Sequence, residues 1–191
     1  ALGVDVQLIP TYTPILTDEL NVSIDQVFFG GINVYLQQRI PLFRYLPSAV
    51  DRILDQPWLI RWATSRGIEI RPTELGALTV SMLRGSLGYQ RKEVRRLCEW
   101  LQREPRPQLV SLTNMLIAGC APDIRNRLGI PLLVTLQGDD IFLDELPEPY
   151  RSQAFKEIRR LVAEIDGFMV YTRYYADFMA DYFDIPPEKF H

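Results

Sequence analysis

Three short polar stretches of this chain hold residues whose types and spacing could do chemistry. The first is Gln137-Gly138-Asp139-Asp140, directly behind the apolar run PLLVTL at 131–136. In open α/β sheets, ligands bind beyond the carboxyl ends of strands, so polar groups at such a corner are well placed to meet one. The plainer alternative is that Asp139 or Asp140 only caps a following turn. Adjacent aspartates can also bind a divalent cation, but no further ligands stand at useful spacing, and no metal site is expected. The second stretch is Phe29-Gly30-Gly31-Ile32-Asn33, at an expected strand-to-helix boundary. Glycines there would let backbone N–H groups at a helix start approach a phosphate. A tight turn explains the pair equally well, and it matches neither the P-loop nor the GxGxxG pattern. The third is Thr172-Arg173, behind DGFMVY at 166–171. A hydroxyl and a guanidinium at a helix start could hold an anion or a sugar hydroxyl, or could be a helix cap beside a surface arginine.

What is missing narrows the chemistry further. The only histidine is His191, so a Ser-His-Asp triad, a histidine general base and a His-ligated zinc all lose weight. The acidic stretch Asp144-Glu145-Leu146-Pro147-Glu148 reads as a solvated loop.

The elements that must position these corners are clearest in the second half. PQLVSL (107–112), PLLVTL (131–136) and DGFMVY (166–171) are short continuous apolar runs, the pattern of strands buried on both faces of a parallel sheet. Between them lie helical patterns. In RKEVRRLCEWLQR, Val94, Leu97, Cys98 and Leu101 recur at helical spacing, and from Tyr150 onward Phe155, Ile158, Leu161, Val162 and Ile165 do the same. NMLIAGCAPDIRNRLG predicts a helix broken or restarted at Pro122 and stopped at Gly129. The aromatic stripe Tyr174, Tyr175, Phe178, Met179, Tyr182 and Phe183 reads as core or domain-interface packing. Alternating strands and helices predict a doubly wound α/β sheet with right-handed crossovers. In the first half, VDVQLIP predicts an opening strand and TPILTDELNVSIDQVFFGG a β-hairpin insertion. A helix is expected from Gly31, short helices over 41–66, a strand at IEIRP and a helix in PTELGALTVSMLRG. Without a repeat or linker, residues 1–191 read as one domain.

Composition bounds the class. The chain has 191 residues, is 47% hydrophobic and carries a formal charge of −3, an ordinary globular balance that disfavours a nucleic-acid partner. Cys98 and Cys120 form no CxxC pair and read as small buried apolar residues in a reducing, cytoplasmic setting. No apolar run approaches the roughly 20 residues of a membrane-spanning helix, and the opening residues lack a signal peptide's basic start. A soluble protein is expected. Peripheral membrane contact remains open through residues 41–66, where Trp58, Trp62, Phe43 and Leu59 mingle with Arg44, Arg52, Arg61 and Arg66. Ordinary core-plus-surface patterning explains that segment as well, and is the commoner arrangement.

Taken in order, Gly30-Gly31 before the first long helix, RLGIPLLVTLQGDD, and EIDGFMVYTRYYADFMADYF leading into DIPPEKFH resemble the N-terminal domain of family-four retaining glycosyltransferases, which have the two-lobed GT-B fold. The resemblance runs over nearly the whole chain and is most specific from about Val110 onward. It implies a Rossmann-like acceptor-side domain, with the donor-binding C-terminal domain absent from this chain, so that this half alone would be inactive. It implies a nucleotide-sugar donor, a sugar, lipid-linked or other small acceptor, and no further cofactor. Gly30 and Gly31 would lie against the donor diphosphate, the Gln137-Gly138-Asp139-Asp140 turn would face the transferred sugar with Gln137, Asp139 and Asp140 as its reactive residues, and Thr172 and Arg173 would line the cleft. Many relatives have histidine where Gln137 stands. Glutamine hydrogen-bonds both ways but carries no proton at neutral pH, so it would act as a binder or dipolar stabiliser. The competing reading is a self-contained α/β nucleotide- or phosphate-binding or regulatory module. A receiver domain would need a lysine just beyond a strand, and Lys92, Lys156 and Lys189 do not fit. A flavodoxin-type module would need a better phosphate loop than PTYTPILTDEL. A nucleotide-sugar epimerase suffers from the lack of histidine.

Overall fold

In the computed structural model, residues 3–11, 28–44, 72–103 and 105–191 are described, and the chain divides into two units, residues 1–69 and 70–191. In the first unit the described residues hold one α-helix, α1 (Gly31–Arg39), then a 3-10 turn at Pro41–Arg44. The helix starts where the sequence places it. Ahead of it, Phe28 donates its N–H to the Pro10 carbonyl at 3.0 Å and makes one parallel bridge with Thr11. Residues 4–10 form no continuous strand, unlike the expectation for VDVQLIP. Val4, Val6 and Leu8 are all exposed, so their alternation buries no face that would hold a ladder together. The expected hairpin, the short helices beyond residue 44 and the IEIRP strand lie outside the described residues, apart from their ends.

The second unit is built on three short strands. β1 (Val110–Leu112), β2 (Leu132–Thr135) and β3 (Gly167–Met169) pair in parallel in that order. Leu112 stands opposite Val134, and Val134 opposite Phe168. These register partners share a face, and all three are buried. On the other face Gly167 is buried, Leu133 and Thr135 are half-buried, and Ser111 and Met169 are exposed, so that face is covered only in part where the continuous apolar runs predict burial throughout. Polar residues interrupt that face at Ser111 of β1 and Thr135 of β2, with Leu133 between them. All three strands lie inside the expected runs but are shorter. Pro131 has no N–H for a ladder, yet its carbonyl still accepts from Val110 at 3.0 Å.

Six α-helices accompany this sheet in the second unit, making seven among the described residues. They are α2 (Pro72–Leu83), α3 (Arg91–Leu101), α4 (Ala121–Leu128), α5 (Asp139–Asp144), α6 (Tyr150–Val162) and α7 (Arg173–Phe183). Proline opens α2 and sits in the first turn of α4, where its missing N–H costs nothing. The expected break ahead of Pro122 is a 3-10 turn, Met115–Cys120, and Gly129 stops α4 at a left-handed φ of 65°. α2 packs on α6 and on that 3-10 turn, and α3 packs on α4. The α2 contact is unusually close: a Cβ on Gly119 would lie 2.0 Å from the Met82 carbonyl oxygen, and one on Gly85 only 1.8 Å from the Gly119 oxygen. Val94, Leu97, Cys98 and Leu101 of α3, and Ile158, Leu161 and Val162 of α6, are buried as their spacing requires. Each large apolar side chain so buried contributes about 1.5–3 kcal/mol. Beyond α6, Lys189 Nζ donates to the carbonyls of Val162 and Ile165, at 2.7 Å each, closing that helix end. The described residues thus form an α/β fold around a small, open, parallel sheet, consistent with Rossmann-like packing. No described helix is long and apolar enough to cross a membrane.

Candidate functional site

The carboxyl ends of the three strands are tied to one another by side chains of the Gln137–Asp140 corner and of α7. Leu136, fully buried, donates its N–H to the Met169 carbonyl at 2.9 Å, carrying the β2–β3 ladder one residue past β2. The chain then turns outward. Gln137 is exposed, Gly138 takes a left-handed φ of 77°, and Asp139 begins α5. A side chain at Gly138 would meet nothing closer than Ile141 Cδ1 at 4.0 Å, so glycine is favoured there by conformation rather than by space.

Asp139 is 2% exposed. Its Oδ1 accepts the Met115 N–H at 2.7 Å, and its Oδ2 accepts the Gln137 N–H at 3.0 Å. One carboxylate therefore fastens the turn after β1 to the turn after β2. Burial raises its pKa above the ordinary aspartate value, while the N–H donors pull the other way. The Gln137 side chain makes a second tie between the same turns, its Nε2 donating to the Thr113 carbonyl at 3.0 Å. An amide has a second N–H and a carbonyl oxygen besides, so this bond fixes the exposed group without exhausting it.

The third strand joins through α7. Thr172 Oγ1 accepts the Tyr175 N–H at 3.2 Å, as an N-cap does. The Tyr175 hydroxyl accepts the Gly138 N–H at 3.0 Å and donates to Asp140 Oδ1 at 2.6 Å. Two turns later the Tyr182 hydroxyl donates to Asp144 Oδ1 at 2.8 Å, with the Asp140 carbonyl at 3.3 Å. Asp144 also pairs with Arg151 at 2.7 Å, and chiefly for that reason its carboxyl sits below the usual range. Part of the acidic run expected to be a solvated loop thus takes side-chain partners at its start.

Of the residues singled out from sequence, Gln137, Gly138, Asp139, Asp140, Thr172 and Arg173 meet at this one sheet edge. Arg173 opens α7 and is exposed. Gly30 and Gly31 belong to the first unit, where Gly30 precedes α1 at φ −48° and its carbonyl accepts the Val34 N–H at 2.9 Å. The left-handed conformation there belongs to Phe29, at φ 52°. Among the described residues no group of three or more histidine, cysteine, aspartate or glutamate side chains could hold a metal ion.

Three participants were not singled out from sequence, among them Met115, which contributes only its backbone N–H. Tyr175 belonged to a stripe expected to pack, and periodicity reports where a ring lies, not what its hydroxyl reaches. Thr113 contributes only a backbone carbonyl, which has no sequence signature. The stripe itself divides: Met179 and Phe183 enter the core, Tyr175 and Tyr182 bond to α5, and Tyr174 is 80% exposed. Tyr171, just ahead of Thr172, is also 80% exposed.

Compared with known proteins, the chain matches no family model, no curated protein and no solved structure.

Proposed function

We propose that this chain is the acceptor-side half of a retaining glycosyltransferase, moving a sugar from a nucleotide-sugar donor to a sugar, lipid-linked or other small acceptor. The observation that carries the reading is the meeting of Gln137–Asp140 and Thr172–Arg173 at the carboxyl edge of one parallel sheet, tied through Tyr175, where α/β proteins hold their ligands. Two features of that edge favour a carbohydrate. Gln137 offers an anchored, exposed amide that can both donate to and accept from a hydroxyl. Tyr171 and Tyr174 expose flat rings on either side of Thr172-Arg173, amphipathic surfaces suited to the C–H face of a sugar.

In this reading the sheet belongs to a doubly wound lobe of a GT-B protein, with a hairpin insertion near its start. By the resemblance, the backbone of Gly30 and Gly31 would bind a diphosphate, and a second lobe would supply the nucleotide grip. The acceptor hydroxyl attacks the anomeric carbon as the bond to phosphate breaks, and its proton passes to the departing phosphate oxygen. Gln137 holds the sugar without exchanging a proton. Asp139 acts by keeping the turn in shape, since both its oxygens hold backbone N–H groups, while Asp140 faces the sugar beside it. Catalysis rests on positioning and on charge stabilisation at the leaving phosphate. The protein would work in the cytoplasm, with peripheral membrane contact where the acceptor is a lipid.

The test is turnover by the complete protein on a panel of nucleotide sugars, with anomeric configuration followed by NMR. Transfer or slow donor hydrolysis with retention is expected. Gln137→Ala should lower kcat/KM roughly 10-fold, the order of one lost hydrogen bond, with a loss of stability no larger than that of its one exposed bond to Thr113. Failure to bind or turn over any nucleotide sugar would sink the reading and favour a self-contained phosphate-binding module.

A further inference from the structure

We propose that Tyr175 is a positioning residue that couples the two halves of the candidate site, transmitting any movement of Thr172–Arg173 to the turn that carries Gln137. This rests on reading that turn as the sugar-facing corner.

Tyr175 is held at both ends. Its backbone N–H is bound by Thr172 Oγ1 at 3.2 Å, so the residue moves with the first turn of α7. Its hydroxyl reaches across to the loop, accepting from Gly138 N at 3.0 Å and donating to Asp140 Oδ1 at 2.6 Å. A phenol has one proton to give and lone pairs to receive, so both bonds form together. Burial and the Asp140 carboxylate both raise the phenol's pKa, which keeps the donated proton in place at physiological pH. The ring is braced by stacking on Phe178, centroids 6.1 Å apart, and Phe178 in turn stacks on Tyr182 at 5.4 Å.

At the receiving end the bond falls on the part of the loop best able to pivot. Gly138 adopts its left-handed φ with open space around it, between Gln137, whose side chain is anchored at Thr113, and the first residue of α5. Displacing α7 by an ångström would lengthen the Gly138 N–H bond and release the turn from one side. An anion or sugar hydroxyl held at Thr172–Arg173 would keep α7 seated and the amide of Gln137 aimed. Tyr182 provides an internal comparison. It also ties α7 to α5, but its hydrogen bonds go to Asp144 and the Asp140 carbonyl rather than to Gly138.

Amide hydrogen exchange on the complete protein tests this, comparing Tyr175→Phe with Tyr182→Phe. Tyr175→Phe should speed exchange at Gly138 roughly 10-fold, the order of one lost hydrogen bond, and Tyr182→Phe should not. With a turned-over donor, Tyr175→Phe should lower kcat more than it changes KM. Asp140→Ala is the second variant, should Tyr175→Phe not fold. It removes the hydroxyl's acceptor while leaving the ring stacked, and it should also speed Gly138 exchange. Unchanged Gly138 exchange in Tyr175→Phe, or an equal change in Tyr182→Phe, overturns the proposal. If the wild-type protein turns over no nucleotide sugar, the glycosyltransferase reading falls, while Gly138 exchange still decides the coupling when Thr172→Ala is added. Loosening the start of α7 should speed Gly138 exchange in the wild-type background and not in Tyr175→Phe, and no change in either overturns the coupling.

Discussion

Asp139 shows how a residue with the appearance of a catalytic acid can spend its chemistry on architecture. Both its oxygens are committed to backbone N–H groups, the buried one of Met115 and the half-buried one of Gln137. Asp139→Ala strips the acceptor from two donors at once, and each buried unsatisfied group costs about 1–3 kcal/mol. Urea unfolding should show a loss of that order, with Asp139→Asn between the two because it keeps one acceptor. The pH dependence follows from the raised pKa. Folding favours the neutral acid, so this group's contribution is fully present below its ordinary value of 3.8 and is lost as pH rises through the higher native value. Asp139→Asn cannot titrate, and it should flatten the plot of urea midpoint against pH just above 3.8. An unchanged slope there would contradict the assignment. At Gly138 the constraint is conformational. With φ at 77° and no clash for a Cβ, Gly138→Ala should cost about 1–2 kcal/mol of left-handed strain, and Gly138→Asn less.

Elements are set by their ends and by the places where backbones touch. Thr172 caps α7 with a side-chain bond to the Tyr175 N–H. Thr172→Ala should cost about 0.5–2 kcal/mol and Thr172→Ser little, read from thermal unfolding. If serine and alanine behave alike, the hydroxyl is not the cap. The packing of α2 on the Met115–Cys120 turn depends on two glycines facing each other's backbones. Gly119→Ala places a methyl 2.0 Å from the Met82 carbonyl oxygen, and helix and turn must separate to admit it. Overpacking of this kind costs about 1–3 kcal/mol, occasionally more. Gly119→Ala should therefore lower the melting temperature well beyond the effect of Gly129→Ala, where no atom lies within 4 Å and only the left-handed φ opposes the change.

At the scale of the whole molecule, the two cysteines report on the integrity of the second unit. Cys98 on α3 and Cys120 at the end of the 3-10 turn are both buried. Burial pushes the Cys98 thiol up to about 11 and the Cys120 thiol up to about 12. A thiol reacts through its thiolate, so neither should react with a disulfide reagent at pH 8 in the native protein. Both should react in urea, with one transition matching loss of far-UV signal. Fast labelling of Cys98 without denaturant would mean that α3 opens independently of the sheet.

The amino-acid sequence was sufficient for the apolar runs that became β1, β2 and β3, for α2, α3 and α6, for the restart at Pro122 and for the stop at Gly129. Each of these rests on local periodicity or on a single residue's backbone limits, and both are written along the chain. It also brought Gln137–Asp140 and Thr172–Arg173 to strand ends. Tertiary structure alone decided what those residues touch. Asp139 is buried because the turn after β1 delivers the Met115 N–H to it, 24 residues away in sequence. Tyr175 became the link between two corners because α7 lies beside α5, a neighbourhood 35 residues wide along the chain. A hydrogen bond between distant residues depends on where both backbones end up, and periodicity within one segment carries no information about the other.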